Sequence, residues 1–146
     1  MRNNIGWFRG KWKETGEWVQ GYYVHLTDYY KKHESHRIYP GTAETDCGDF
    51  YPDYFEVDPD TVGGCTGLRD RNKKMIFEGD VIEGDEYTYE DGLGEILYDT
   101  ESAKFQILGR DPNNLCLDFD YYYGHELEVV GNLWDNPELL GGSDNA

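Results

Sequence analysis

The pattern of apolar residues argues against helices as the main elements of this fold. Nowhere do apolar residues recur at helical spacing over three turns. Short runs rich in β-branched and aromatic residues recur instead roughly every ten residues, separated by Gly, Pro, Asn and Asp. Such spacing is typical of a β-sandwich or a small barrel. With 38% hydrophobic and 16% aromatic content, the chain can bury a modest core. The sequence therefore predicts an all-β protein with little helix.

The strand signals fall into hairpins. Aromatic and apolar residues of 5–26 flank the turn-forming segment Glu14-Thr15-Gly16 and predict an N-terminal hairpin. A short strand at Ile38-Tyr39 is expected to follow, and then a long acidic loop over 42–60. Within that loop we expect a short strand at 54–57 and a turn at 58–61. Later strands are expected at 81–82, 96–98, 105–108, 115–119 and 127–131, with a short helical turn starting at Pro137.

The segment from Thr61 to Ile82 has the most specific pattern. Two apolar runs flank a charged centre, residues 69–74, whose composition suits a tight reversal. Asn72 tolerates the left-handed backbone that hairpin turns need, so we predict a two-stranded ribbon. We expect the four basic residues of this turn to meet carboxylates of this protein or of a second copy.

These residues resemble the YopX family of phage and prophage proteins. That family has Thr-Gly-Leu, a charged Asn-Gly turn and then Glu-Gly-Asp-Ile-Val, and here Lys73 stands where the family prefers Gly. A turn wider than two residues is therefore possible. Residues 130–140 resemble the family's C-terminal signature, and Gly-Lys-Trp with the later Gly-Glu-Trp-Val resembles its N-terminal segment. The resemblance implies a phage or prophage setting, but no activity.

The same resemblance, with fold-level analogy, suggests how the chain is organised. We expect a single domain over 1–140, comprising an N-terminal β subdomain (1–60) with an acidic loop and a YopX-like region (61–140). The second part would be a small Src-homology-3-like barrel, on which the N-terminal hairpin packs. Residues 141–146 are expected to be a disordered tail.

Charge is the strongest compositional signal. Residues 1–40 carry seven Lys or Arg against four Asp or Glu, which is +3, and residues 41–146 carry six against twenty-six, which is −20. The two sum to the net charge of −17. Such a chain repels the nucleic-acid backbone and attracts basic surfaces, so we expect no direct binding of nucleic acid.

No catalytic or metal-binding pattern emerges from the sequence. No zinc or redox spacing links Cys47, Cys65 and Cys116, and buried free thiols are the preferred interpretation. The histidines at 25, 33 and 36 are close in sequence, but His33 and His36 would point to opposite faces of a strand. Three weaker patterns resemble parts of known sites: His125 with Cys116 or Ser102 as a nucleophile pair, Asp118-x-Asp120 as the start of a calcium loop, and the glycine-rich segment 63–67 as a phosphate-binding loop. None of them is complete, and the segment 63–67 more simply bends a strand. We expect a protein that is not an enzyme, without metal or cofactor.

Two explanations of the acidic half stay open: a surface that imitates nucleic acid, or adaptation for solubility. The first predicts a non-enzymatic protein that inhibits a basic, nucleic-acid-handling host protein, such as a CRISPR effector or another defence nuclease. The candidate partner-binding residues are Asp80, Glu83, Asp85, Glu86, Glu90 and Asp91. The alternative is a regulatory or structural phage module that self-assembles, as a homo-oligomer, through aromatic surfaces. A pocket for a small molecule near Tyr121-Tyr122-Tyr123 is a third possibility.

No apolar run of the sequence suits a bilayer span or a signal peptide. We therefore expect the protein to be located in the cytoplasm of the bacterial host cell.

Overall fold

A computed structural model describes residues 6–28, 32–40, 53–84, 93–109, 116–118 and 127–140. These residues form ten strands, every pairing of which is antiparallel, and one short 3-10 helix. The all-β prediction is confirmed. None of the described residues belongs to a helix long and apolar enough to cross a membrane.

The strands are β1 (Phe8–Trp12), β2 (Trp18–Thr27), β3 (Glu34–Tyr39), β4 (Phe55–Arg69), β5 (Met75–Phe77), β6 (Asp80–Glu83), β7 (Leu93–Asp99), β8 (Lys104–Gly109), β9 (Cys116–Asp118) and β10 (Glu128–Asn132), and the 3-10 helix is Pro137–Leu140. The expected tail, 141–146, lies outside the described residues. The chain divides into two compact units, residues 6–64 and residues 65–146 with 1–5.

In the unit 6–64, the pairings of four strands form a ring. β1 pairs with β2, β2 with β3, β3 with β4, and β4 returns to β1. The predicted N-terminal hairpin is thus present as β1 and β2. Ile38, Phe55 and Val57 form the buried core of this unit. β2 passes from β1 to β3 at Gly21, where a Cβ atom would collide with the backbone carbonyl of Tyr39, so glycine permits this close approach.

The turn expected at 58–61 is instead a bulge inside the long strand β4. Arg9 pairs with Gly63 and Lys11 with Asp58, so the register shifts between the two pairs. The Thr61 hydroxyl fills this bulge, because it donates to the carbonyl of Asp58 at 2.7 Å and accepts from the backbone N–H of Lys11 at 2.8 Å. Turn-type residues therefore interrupt the pairing without ending the strand.

In the unit that begins at residue 65, five strands form an antiparallel sheet in the order β10-β6-β7-β8-β9. Among the described residues its outer strands, β9 and β10, do not pair with each other, so the small barrel that was expected is not seen to close there. The predicted hairpin of β7 and β8 is present, with Tyr98 opposite Phe105. The buried core residues of this unit are Ile76, Ile82, Ile96, Ile107 and Leu127.

The charged turn between β4 and β5 is wider than two residues. The Lys73 N–H donates to the Asp70 carbonyl at 2.9 Å, and the Asp70 N–H donates to the Lys74 carbonyl at 2.8 Å. This pattern leaves a three-residue loop whose last residue is left-handed. That residue is Lys73, with φ 67°, and not Asn72 as predicted. The left-handed position therefore coincides with the place where the YopX pattern has Gly.

The Asp70 carboxylate fixes both this turn and the last strand. Its Oδ1 accepts from the N–H groups of Asn72 at 2.9 Å and Lys74 at 2.8 Å, and its Oδ2 accepts from the Val129 N–H at 2.9 Å. The Arg71 N–H adds a bond to the Leu127 carbonyl at 2.8 Å. Burial alone raises the pKa of Asp70, but the N–H donors and the Lys74 charge outweigh it, so the pKa is lowered overall.

We expect Lys73→Gly to stabilise the protein by about 0.5–1 kcal/mol, because a side chain at positive φ is strained and glycine is not. The midpoint of urea unfolding measures the change. Asn72→Gly is the matched control, since Asn72 does not have positive φ and gains only backbone freedom on substitution. A lower midpoint for Lys73→Gly would contradict this account of the turn.

We expect Asp70→Asn to destabilise the protein by about 2–3 kcal/mol, because Asp70 is buried and an amide cannot accept all three of its N–H bonds. Since the folded-state pKa of Asp70 is lowered, its contribution is complete above the unfolded-state value near 3.8 and is lost as the pH falls through the folded value. Asp70→Asn should therefore also flatten the loss of stability below about pH 4.

Urea unfolding at a series of pH values measures both effects. Asp99→Asn is the control for the loss of stability, because Asp99 also caps a turn, where its carboxylate accepts from the Glu101 N–H at 3.1 Å and the Ser102 hydroxyl at 2.6 Å. Within the described part of the chain, both of these bonds are local to the turn. An equal loss of stability in both variants would show that Asp70 is an ordinary turn residue.

Candidate functional site

An acidic segment of the sequence attaches to one end of the five-stranded sheet. At this end β6 finishes with Glu83, and its pairing partners there are Leu93 at the start of β7 and Glu128 at the start of β10. The chain between Glu83 and Leu93 contains Asp85, Glu86, Glu90 and Asp91. The segment 110–115 also joins strands at this end, because Gly109 ends β8 and Cys116 begins β9 here. We call Glu83, Glu128 and the segment 85–92 the acidic end of the sheet.

The six predicted partner-binding residues differ in exposure and in whether the structure describes them. Asp80 is only 1% exposed, and its Oδ2 accepts from the Phe77 N–H at 2.8 Å. Its carboxylate holds the turn before β6 and cannot lie on a partner-binding surface, which corrects the prediction for this residue. Glu83 is exposed, as that role requires. Asp85, Glu86, Glu90 and Asp91 lie outside the described residues.

Among the described residues, the basic residue Arg71 reaches the acidic end. Glu83 and Glu128 are directly opposite in the pairing of β6 and β10, where like charges repel. Arg71 forms an ion pair with Glu128, and the pKa of Arg71 is raised by that hydrogen bond, by the Glu128 charge and also by the charge of Glu83. For Arg71, the expected contact of the basic turn with a carboxylate of the same chain is therefore confirmed.

A further carboxylate, Glu95, lies on the same face of the sheet and has a raised pKa. Glu95 lies opposite Val81, two residues from Glu83 along β6, so Glu95 and Glu83 share a face. Burial raises the pKa of Glu95, and the nearby charge of Glu78 raises it further. Glu95 therefore takes up a proton more readily than an ordinary glutamate.

The acidic residues of β4 belong to a mixed surface instead. Across the strand pairs of the unit 6–64, Asp58 lies opposite Lys11 and Glu56 lies opposite Arg37. Opposite charges at such positions attract weakly. The guanidinium of Arg37 also covers the ring of Tyr54, 4.1 Å from its centroid. The uneven charge of the protein is thus concentrated in the unit that contains the sheet end.

The two most specific sequence motifs pack against each other. At Gly79, with φ 91°, a Cβ atom would collide with the ring of Trp134. The Leu133 N–H donates to the Gly79 carbonyl at 3.0 Å. The Asn132 side chain accepts from the N–H groups of Trp134 at 3.0 Å and Asp135 at 2.8 Å. Glu-Gly-Asp and Gly-Asn-Leu-Trp therefore serve the fold.

Two histidines and a glutamate converge on the β2–β3 hairpin. His25 and His36 are register partners, and their rings stack with centroids 4.2 Å apart and an interplanar angle of 12°. Their Nε2 atoms lie 3.7 and 3.9 Å from the two carboxylate oxygens of Glu34. The Tyr23 hydroxyl lies 2.5 Å from Nδ1 of His36. Burial raises the pKa of Tyr23, and the Glu34 charge adds to the effect, so the phenol stays protonated. Sequence reasoning missed this group because His25 and His36 meet only through the hairpin register.

The residues weighed for catalysis have other surroundings. Burial raises the pKa of the Cys65 thiol, which disfavours the reactive thiolate. Ser102 donates to Asp99 within a turn. Gly63 and Gly64 pair with β1 inside β4, and Gly67 has φ 85°, which suits the expected bend. Cys47, His125, Asp120 and the tyrosines at 121–123 lie outside the described residues, as do the side chains of Cys116 and Asp118.

Comparison with known proteins identifies the family of the chain. The family model described as "YopX protein" matches residues 7–141. A similar solved structure is the crystal structure of protein EF1440 from Enterococcus faecalis, which is 23% identical with a TM-score of 0.46, over 91% of this chain and 96% of that one. No curated protein matches the chain. Because the family match spans most of the sequence, this protein belongs to the YopX family and is of phage or prophage type.

Proposed function

We propose that this protein is a non-enzymatic inhibitor that binds a basic, nucleic-acid-handling host protein in place of nucleic acid. A defence nuclease such as a CRISPR effector has the required chemistry, because its groove attracts closely spaced negative charge. The contact surface is the acidic end of the sheet. It excludes Asp80, which is buried.

The convergence of carboxylates at this end carries the proposal. Glu83 and Glu128 are strand partners, and a segment with four more carboxylates starts after Glu83 and ends where β7 pairs with it. Neighbouring strands are about 4.7–4.9 Å apart, so paired carboxylates approach the spacing of phosphates along a DNA strand more closely than scattered surface charges do. A pair of like charges costs stability in the free protein, and a basic partner would relieve that repulsion.

Arg71 reduces the net negative charge of this surface. Its ion pair with Glu128 leaves Glu83 and the segment 85–92 as the main source of field at the sheet end. Exposed ion pairs contribute about 0.2–1 kcal/mol each, so five carboxylates together would supply about 1–5 kcal/mol, or roughly fivefold to several thousandfold in affinity. Binding should therefore depend on the group and hardly on one residue.

The test is a fivefold variant that removes charge and keeps side-chain size. Its substitutions are Glu83→Gln, Asp85→Asn, Glu86→Gln, Glu90→Gln and Asp91→Asn. The immobilised wild type is expected to capture nucleic-acid-binding proteins from a host lysate at low salt, to release them as salt rises, and to lose them to added double-stranded DNA. The variant should capture them at least fivefold less well.

A matched control removes the same charge from other exposed positions. Its substitutions are Glu14→Gln, Glu17→Gln, Asp53→Asn, Glu101→Gln and Glu138→Gln, all at exposed residues. The control should capture partners almost as well as the wild type does. Equal capture by the wild type and the fivefold variant at physiological salt, or capture unaffected by saturating DNA, would refute the proposal.

The alternative of self-assembly has one supporting observation. On β2, Tyr22 is 54% exposed and Leu26 is 39% exposed, and both point to the same face as Val24. An exposed apolar row on a strand suits contact with a second copy. Sedimentation at high salt distinguishes the two functions, because apolar association persists when charge is screened.

A further inference from the structure

One face of the β2–β3 hairpin is apolar near the core and polar further along the two strands. Tyr23 lies opposite Ile38, His25 opposite His36 and Thr27 opposite Glu34. Residues directly opposite share a face, and alternate residues repeat it, so His25, Glu34 and His36 continue the face that begins with the buried Ile38. Where the apolar core ends, this face carries two imidazoles and a carboxylate.

The spacing within this group is too long for hydrogen bonds. The distances of 3.7 and 3.9 Å from the two Nε2 atoms to the Glu34 oxygens exceed the usual limit of about 3.2 Å. A tetrahedral ion with bonds of about 2.0–2.2 Å holds its ligand atoms about 3.3–3.6 Å apart. One ligand atom from each of the three residues lies within 4.8 Å of the other two. Small side-chain rotations would bring all three to bonding distance of one ion.

We propose that His25, Glu34 and His36 form a binding site for one divalent transition-metal ion, with Zn²⁺ as the best match. Imidazole nitrogen suits Zn²⁺ and its neighbours in the transition series, whereas Mg²⁺ and Ca²⁺ prefer sites made of oxygen alone. Three protein ligands leave a fourth position for water, and the group is open on one side, since the side chains of His25 and Glu34 are 44% and 59% exposed.

Tyr23 completes the arrangement around His36. A histidine that binds metal through Nε2 keeps its proton on Nδ1, and that N–H usually has a hydrogen-bond partner that fixes the ring. The Tyr23 hydroxyl is that partner, at 2.5 Å from Nδ1 of His36. On the opposite face of β3, Arg37 donates to the hydroxyls of Ser35 and Tyr39, so its charge points away from the site. Tyr23 is thus a positioning residue.

The ion would join β2 to β3 beyond the last core residue. Its ligands come together only in the folded hairpin, so binding stabilises the folded chain. We expect the full chain, freed of metal by a chelator, to bind one Zn²⁺ in calorimetric titration and to melt at a higher temperature with Zn²⁺. Mg²⁺ should produce neither effect.

Glu34→Gln is the main test, because Glu34 is exposed and the amide keeps the size of the side chain. We expect Glu34→Gln and His25→Gln to weaken Zn²⁺ binding at least tenfold and to abolish the rise in melting temperature. Tyr23→Phe keeps all three ligands and removes only the outer hydrogen bond, so a loss of about tenfold or more is expected. Circular dichroism without metal confirms that each variant is folded.

Two controls separate this site from other histidines and carboxylates. His33→Gln changes an exposed histidine next to Glu34 that is not part of the group, and it should bind Zn²⁺ as the wild type does. The variant with five carboxylates neutralised at the sheet end should also bind Zn²⁺ normally. The proposal is overturned if the wild type does not bind Zn²⁺, or if Glu34→Gln and His25→Gln bind it as tightly as the wild type.

Discussion

The unit that begins at residue 65 depends on one buried carboxylate. Asp70 closes the charged turn with Oδ1 and holds the Val129 N–H with Oδ2, so a local bond and a bond across 59 residues end on one side chain. Such a group costs desolvation free energy unless its bonds are made, and here three N–H groups make them. Because Val129 is the second residue of β10, the same carboxylate helps to place Glu128 opposite Glu83. The candidate acidic surface therefore depends on a residue whose own charge is hidden from a partner.

Local patterns were enough to predict the hairpins and the family. The hairpins β1–β2 and β7–β8 and the ribbon β4–β5 follow from alternating apolar residues and turn chemistry, which act between neighbours in sequence. Lys73 shows the limit of this reasoning. Asn tolerates positive φ better than Lys, but the loop length set by the Asp70 bonds puts the left-handed residue at Lys73. Tertiary bonds thus overrode the residue preference.

The residues that sequence reasoning misplaced are those whose environment depends on long-range register. From the sequence, Asp80 was predicted to be a surface acid between a turn and a strand. In the structure it is buried, and its carboxylate accepts a hydrogen bond from the Phe77 N–H. The sequence patterns did not predict that His25 and His36 meet, because the spacing along one strand says nothing about the partner strand. Their meeting follows from the pairing of Tyr22 with Tyr39, which fixes every later pair of the hairpin. A hairpin connecting the strand of His25 to the strand expected at Ile38-Tyr39 was not predicted, and pairing the polar residues on either side of that connection would have been the signal.

Net charge alone overstates the acidic surface that a partner could meet. Some carboxylates serve the fold, as Asp70 does, some lie opposite basic residues, as Glu56 does, and Glu95 has a raised pKa. At the sheet end, the described carboxylates are Glu83 and Glu128, whose charge is screened by salt like any solvated charge. Bonds from His25, Glu34 and His36 to a metal ion would depend on salt far less. Such bonds require deprotonated ligands in a fixed geometry and no long-range electrostatic field. Binding at the two proposed sites therefore has different physical origins. Binding at the acidic end depends on the summed electrostatic field of several carboxylates, and binding of a metal ion depends on three metal–ligand bonds.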